Sequence, residues 1–355
     1  MSEKAKLIMK AERKILFMEA CFADENTKKK YREPVFNFHL YKWLDRSIVT
    51  ILFLTIMTKR RDFLKQAGTL ASLSALPNHH FWGSFFQANY QFKELRSNVY
   101  IFTERGGTIA SYMANDGLAV VDSQFPDQAK HLIDELKKGN SNNVDLLVNT
   151  HHHGDHSAGN IAFKGMVNNI MAHENSLLNQ KRVAENRDGL DGVLLPTTTY
   201  KTGSVSKKVG AEKITLHYFG AAHTDGDSFV HFENANIVHT GDLLFNRRVP
   251  YIDKSSGANV ANWMEVMEKG YNSFDDDTLF VFGHSGNGFE ITGTREDLKA
   301  FQNYLGKVIE FVKLGKAQGR SKEEMAKAEE IPGAPEWKGT QTRAVNAVWT
   351  ELYEE

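Results

Sequence analysis

Residues 150–156 read Thr-His-His-His-Gly-Asp-His, and inside them stands the spaced array His151-x-His153-x-Asp155-His156. Four metal-competent side chains in six residues do not make a core pattern. Buried without partners, each would lose solvation, and a cation in their midst removes that cost. The segment before the array, residues 144–150, is apolar and β-branched, so it reads as a buried strand with the array on the loop at its end. A strand end is rigid, and the loop after it can aim several side chains at one point. The array is a metal site.

Three later signals repeat this layout. His223 follows the strand-like residues 214–219, Asp242 follows residues 236–239, and His284 follows residues 278–282. Each is an apolar run, then a Gly or small residue, then a ligand-type side chain. The repetition can place all seven residues on one rim of a β-scaffold.

Taken together, the array and the ordered His223, Asp242 and His284 resemble the metallo-β-lactamase superfamily, over residues 98–289. The resemblance implies an α/β fold, a four-layered αβ/βα sandwich, with the metal rim along one edge of two packed sheets. The chain's own alternation fits it. Strands are expected at 99–103, 108–114 and 118–122, with helices at 127–138, 157–163, 174–185 and 294–315. A long loop is expected over 188–206, and Ser321 with Glu324 has the form of a capping box.

By the same resemblance His151, His153 and His223 hold one metal, Asp155, His156 and His284 hold a second, and Asp242 bridges both. Imidazole and carboxylate ligands without thiolate suit Zn²⁺, two ions per chain, with Fe and Mn as the other metals such a set accepts. Two cations about 3.5–4 Å apart share a bridging water and lower its pKa towards ~7, which gives a hydroxide nucleophile at neutral pH. Asp155 then has a second, catalytic role, accepting a hydrogen bond from that hydroxide and orienting it. No protein nucleophile is needed, so Ser228 and Ser285 read as structural.

The implied substrate is a small molecule with a carbonyl centre: a lactam, a lactone or a thioester. A bridging Asp at position 242 is similar to thioesterases of the glyoxalase II type and to lactonases; superfamily lactamases often carry Cys or no protein bridge there. A mononuclear iron, persulfide dioxygenase-like oxidoreductase is the alternative. Flavodiiron relatives are a poorer match, since they carry Glu where this chain has His153, along with a flavodoxin domain.

For substrate binding, Arg247 and Arg248 stand just beyond Asp242. Either can clamp a substrate carboxylate or pair with Asp253 or another acid. Asn259 can polarise a carbonyl or cap a helix beginning near residue 260. His152 is expected to point away from the metals, and His217, His231 and His239 to pack within strands. Asp225 and Asp227 are expected to orient the ring of His223.

Charge excludes one class of partner. Lys+Arg 43 against Asp+Glu 44 gives a net −1, and no basic cluster with interleaved aromatics accompanies the array, so no nucleic acid is expected. Residues 58–77 contain the pair Arg60 and Arg61, then Phe63-Leu64-Lys65 and a weakly apolar stretch ending at Pro77. They resemble a bacterial twin-arginine export signal, which implies the twin-arginine machinery as a partner and a periplasmic or secreted protein. An amphipathic surface helix is the other reading. Met57 stands immediately before, so it is expected to be the true start, with residues 1–56 a non-native extension that holds the only cysteine, Cys21. If 1–56 are genuine, the protein stays cytoplasmic. The expected plan is therefore 1–56 extension, 57–90 signal and linker, 91–292 catalytic domain and 293–355 helical C-terminal extension. His79 and His80 fall in the linker and are expected to have no catalytic part.

Overall fold

The strand Gly117–Val121 is buried along its whole length, and its period-two alternation divides it between two cores. Leu118 and Val120 pack with Leu132, Ile133 and Leu136 of the helix Pro126–Gly139. Ala119 and Val121 pack with Ile214, Leu216, Val230 and Phe232, which belong to a second sheet. The computed structural model describes residues 90–354, apart from 141 and 188, and the same alternation runs through both its sheets.

The first sheet holds β1 (Gln91–Arg96), β2 (Val99–Thr103), β3 (Ile109–Ala114), β4 (Gly117–Val121), β5 (Leu146–Val148), β6 (Ile170–His173) and β7 (Thr198–Tyr200), lying side by side in chain order. The first four are antiparallel; β5, β6 and β7 continue parallel to β4. Next come β8 (Gly203–Val209), β9 (Glu212–Tyr218), β10 (Phe229–Phe232), β11 (Ile237–His239), β12 (Phe245–Asn246), β13 (Leu279–Val281), β14 (His284–Ser285) and β15 (Thr292–Gly293). Six of these make the second sheet, in the order β15-β13-β11-β10-β9-β8, while β12 and β14 form a separate parallel pair.

The helices are α1 (Pro126–Gly139), α2 (Gly154–Ser157), α3 (Glu174–Glu185), α4 (Val260–Ser273), α5 (Arg295–Ala317), α6 (Lys322–Met325) and α7 (Thr342–Tyr353). Helix α1 covers the outer face of the first sheet. The outer face of the second sheet, through Phe229, Val238 and Phe280, packs on Trp263 and Met267 of α4, Phe301 and Leu305 of α5 and Val345 of α7. Each such side chain contributes about 1.5–3 kcal/mol on burial. The layers run helix, sheet, sheet, helices, which is the expected αβ/βα sandwich.

Two expectations need adjustment. Residues 188–206 are not one long loop, because β7 and the start of β8 lie within them. Both strands lie at sheet edges, and Ser204, Ser206, Lys207 and Lys208 of β8 are exposed, so neither shows an apolar run. The helix expected from 157 begins earlier, at Gly154, and becomes a 3₁₀ helix over Ala158–Phe163. Asp155 and His156 thus ride on a helical turn instead of a loop.

The residues after 293 are helical and pack into the outer layer. Ala88–Glu355 form one compact unit, in which α5 and α7 are part of the outer layer. The indole N–H of Trp337 donates to the carbonyl of Phe245 at 3.2 Å, and that of Trp263 to Leu243 at 2.9 Å. These bonds brace the segment just after Asp242. The expected capping box at Ser321 and Glu324 is present. The export segment, Met57, Cys21, His79 and His80 lie outside the described residues.

Candidate metal centre

Strand register delivers the centre. Pairing of β4 with β5 sets Val121 beside Val148, so Asp122 and the 149–151 segment leave the sheet together. The backbone N–H of Thr150 donates to Asp122 Oδ1 at 2.8 Å. In the second sheet β11 pairs with β13 in parallel, His239 opposite Val281, and Asp242 and His284 each lie the same three residues further on. His223 enters from the turn after β9. Gly283 is required beside Asp242, since a Cβ there would lie 2.2 Å from Asp242 Oδ1; at Gly107 a Cβ would lie 2.0 Å from the His156 ring.

His151, His153 and His223 converge. His153 Nδ1 lies 3.1 Å from His151 Nε2 and 2.9 Å from His223 Nε2. The far nitrogen of each ring settles where its proton is. His223 Nδ1 faces the carbonyl of Tyr251 at 2.7 Å and must donate to it. His153 Nε2 faces the Asp253 carboxylate at 2.9 Å and must do the same. Thr150 Oγ1 donates to Asp122 Oδ2 at 2.8 Å, so it accepts from His151 Nδ1 at 3.0 Å. The three nitrogens facing one another then carry lone pairs and no proton. Burial agrees, holding His151 well below the ordinary imidazole value and His223 at about 3. Three buried lone pairs at contact repel one another, and a cation among them removes the repulsion.

Asp155, His156 and His284 form a second group. His284 Nε2 lies 3.2 Å from Asp155 Oδ2, and His156 Nδ1 donates to Asp122 Oδ2 at 2.7 Å, which turns His156 Nε2 inward. Asp242 stands between the groups. Its Oδ2 lies 3.5 Å from His223 Nε2 and 3.9 Å from His151 Nε2, and its Oδ1 lies 3.0 Å from His156 Nε2 and 3.4 Å from His284 Nε2. Asp242 Oδ1 and His156 Nε2 are buried without a hydrogen-bond partner, despite their proximity. Burial opposes charge on His156, but the carboxylates of Asp242 and Asp122 outweigh it and hold the ring well above its usual value. That proton balances buried carboxylates, and a cation can take its place. The donor set fits metal ions on both sides of Asp242.

The residues expected to bind substrate have the following surroundings. Arg247 is spent on the protein itself: its guanidinium bonds Asn246 at 2.7 Å, pairs with Asp297 and Glu336, and lies 5.3 Å from the Trp337 ring. Helix α5 folds back to supply Asp297, which local sequence could not reveal. Arg248 is exposed and does not line the cavity beside the centre. Asn259 caps α4, accepting from the Asn262 N–H at 2.8 Å.

Asp225 and Asp227 do not orient His223, whose ring is held by the Tyr251 carbonyl. Asp227 accepts from Thr224 instead, and Asp225 from Asn179. His239 is packed, bonding Thr108 and Gly241, and Ser228 bonds Tyr200. His152 Nε2 turns to Ser256 Oγ at 3.1 Å, outside the two groups.

Two anchoring residues carry little signal in the sequence. Asp122 holds Thr150 and His156; its one sequence signal is an acid closing the apolar run 118–121. Asp253 holds His153 across 100 residues, with only the flanking Ser255 and Ser256 as a hint.

Comparison with known proteins agrees with this geometry. The sequence model of the metallo-beta-lactamase superfamily matches residues 104–284. Metallo-beta-lactamase IND-1 of Chryseobacterium indologenes is 27% identical over 160 residues, covering 44% of this chain and 62% of that protein. Metallo-beta-lactamase type 2 of Bacillus sp. (strain 170) is 25% identical over 202 residues, covering 54% of this chain and 74% of that one. Among solved structures, the stereoselective inverting sec-alkylsulfatase Pisa1 from Pseudomonas sp. superposes with a TM-score of 0.59 at 13% identity, over 74% of this chain and 50% of that one. That last likeness is one of fold.

Proposed function

The chain belongs to the metallo-beta-lactamase superfamily, and we propose that it is a dinuclear zinc hydrolase acting on a lactam, lactone or thioester carbonyl. The observation that carries this reading is the meeting of three proton-free imidazole nitrogens on one side of Asp242, with Asp155, His156 and His284 on the other. Neutral imidazoles and carboxylates without thiolate suit zinc. His151, His153 and His223 would hold one ion beside Asp242 Oδ2; Asp155, His156 and His284 would hold the other beside Oδ1. Zinc held there supplies Lewis acidity towards a carbonyl oxygen and a lowered pKa for water.

The chain's own groups do the rest. Asp155 is the most open of the seven, its side chain 32% exposed. Burial would raise its pKa, but His284 and His156 together outweigh this and lower it, so Asp155 is ionised at neutral pH and can orient an attacking water. A cavity of about 420 Å³ reaches the centre at His153 and is lined also by Tyr251, Asp253, Val193, Leu194 and Leu195. Arg182 and Arg187 also line it. Such walls suit a small acyl compound with an apolar portion and an anionic group. The names of the curated relatives favour a lactam; the carboxylate at position 242 favours a thioester or lactone.

The test is metal content of the purified protein together with hydrolysis of a lactam, lactone and thioester panel. Two zinc ions and turnover of one member are expected. One iron, no zinc and no hydrolysis would replace the reading with the mononuclear iron dioxygenase. Periplasmic or secreted residence is proposed on Arg60 and Arg61 alone; a chain starting at Met57 that is exported equally well with both changed to Lys would remove it.

A further inference from the structure

The three rings of the first group lean on different acceptors. His151 leans on a hydroxyl, His223 on a peptide carbonyl, and His153 on a carboxylate. His153 is also the ring that turns Nδ1, not Nε2, towards its neighbours. Its anchor, Asp253, is buried and held firmly. Ser255 Oγ–H donates to Oδ1 at 2.5 Å and Ser256 Oγ–H to Oδ2 at 2.7 Å, while Arg182 donates to Ser256 Oγ at 2.7 Å. Both oxygens accept from hydroxyls, so the carboxylate presents Oδ2 to the ring as an acceptor, and the ring nitrogen facing it at 2.9 Å carries the proton.

We propose that Asp253 is a positioning residue that fixes His153 as its Nε2–H tautomer, directs the Nδ1 lone pair into the centre, and so sets zinc affinity on the His151 side. The inference rests on the zinc reading above. Without this acceptor the ring is free to place its proton on Nδ1, among the converging nitrogens, where it opposes a cation. Asn at 253 is the sharper probe, because its amide can donate to Nε2 and favour the wrong tautomer, as happens when the Asp of a Ser-His-Asp triad becomes Asn. Losing an outer hydrogen-bond partner of a ligating His typically weakens metal binding about 10–100-fold.

His152 does not compete for this role. Its Nε2 is 3.6 Å from the same Asp253 oxygen and is engaged by Ser256. His152, His153 and Asp253 do lie close enough to hold an ion themselves, which makes a rival arrangement with His153 ligating through Nε2.

Two measurements separate these arrangements. Long-range ¹H–¹⁵N spectra of the zinc-loaded wild type are expected to show His153 protonated at Nε2 and ligating through Nδ1. Chelator competition is expected to show about 10–100-fold weaker zinc at the first site in Asp253→Asn and Asp253→Ala, and a smaller loss in Ser256→Ala. Wild-type affinity in folded Asp253 variants overturns the inference, as does a wild-type His153 that ligates through Nε2. If neither Asp253 variant folds, the wild-type spectrum decides alone. A wild type that takes up no zinc overturns both this inference and the hydrolase reading, whereas zinc uptake with unaltered variants sinks the inference only.

Discussion

The group of His151, His153 and His223 and the group of Asp155, His156 and His284 flank one carboxylate yet are organised differently. The first consists of three rings, each with its proton drawn outward by an acceptor behind it. The second contains two rings with Asp155 among them and Asp122 directly behind His156. Hydrogen-bond acceptors set tautomers in the first; charge balance governs the second. The difference shows in the rings themselves, since burial keeps His223 neutral while carboxylates drive His156 towards its charged form. On the proposed dinuclear reading, the two sites are prepared by opposite means, one emptied of protons and the other loaded with a displaceable one.

The largest expected effect comes from removing what the two groups share. Asp242→Ala should lower zinc from two ions to about one or fewer, with turnover falling at least ~10²-fold, the usual scale for a lost positioning or acid–base contact. Asp155→Asn should spare the first ion and weaken the second while still losing turnover. Full zinc and full activity in Asp242→Ala would show that the groups do not depend on a common carboxylate.

A middle-sized effect concerns the pH dependence of unfolding in chelator-treated protein. His156 is raised in the fold, so its contribution is present below the ordinary value of about 6.5 and is lost as pH rises through the folded value. His223 is lowered to about 3, so its contribution is present above about 6.5 and is lost as pH falls towards that value. His156→Gln should flatten the alkaline arm of a Tm-versus-pH curve, and His223→Gln the acid arm. Equal slopes in the two variants would erase the distinction between the groups.

The smallest effects lie outside both. Asn259→Ala should cost ~1 kcal/mol of stability through the lost cap, with KM unchanged. Arg247→Ala should lower Tm by releasing Asp297 and Glu336, again with KM unchanged. A KM rise confined to anionic substrates in either variant would return that residue to the substrate site.

The seven ligand-type residues were legible because each follows an apolar strand, and a strand's end is a local property. Period-two alternation made the sheet cores legible for the same reason. Edge strands β7 and β8 were not, because a solvated face leaves no apolar pattern to read. The anchors were out of reach for a different reason. Asp122 meets His156 across 34 residues only once β4 and β5 have paired, and Asp253 meets His153 across 100 only once both sheets have closed. Arg247 and Asn259 had two chemically sensible partners each, and only the return of α5 and the start of α4 chose between them. Residue type and spacing thus determined which groups this chain can offer to a metal. Tertiary packing decided which nitrogen of each ring faces inward, because a tautomer is set by the acceptor behind the ring, and that acceptor arrives from elsewhere in the chain.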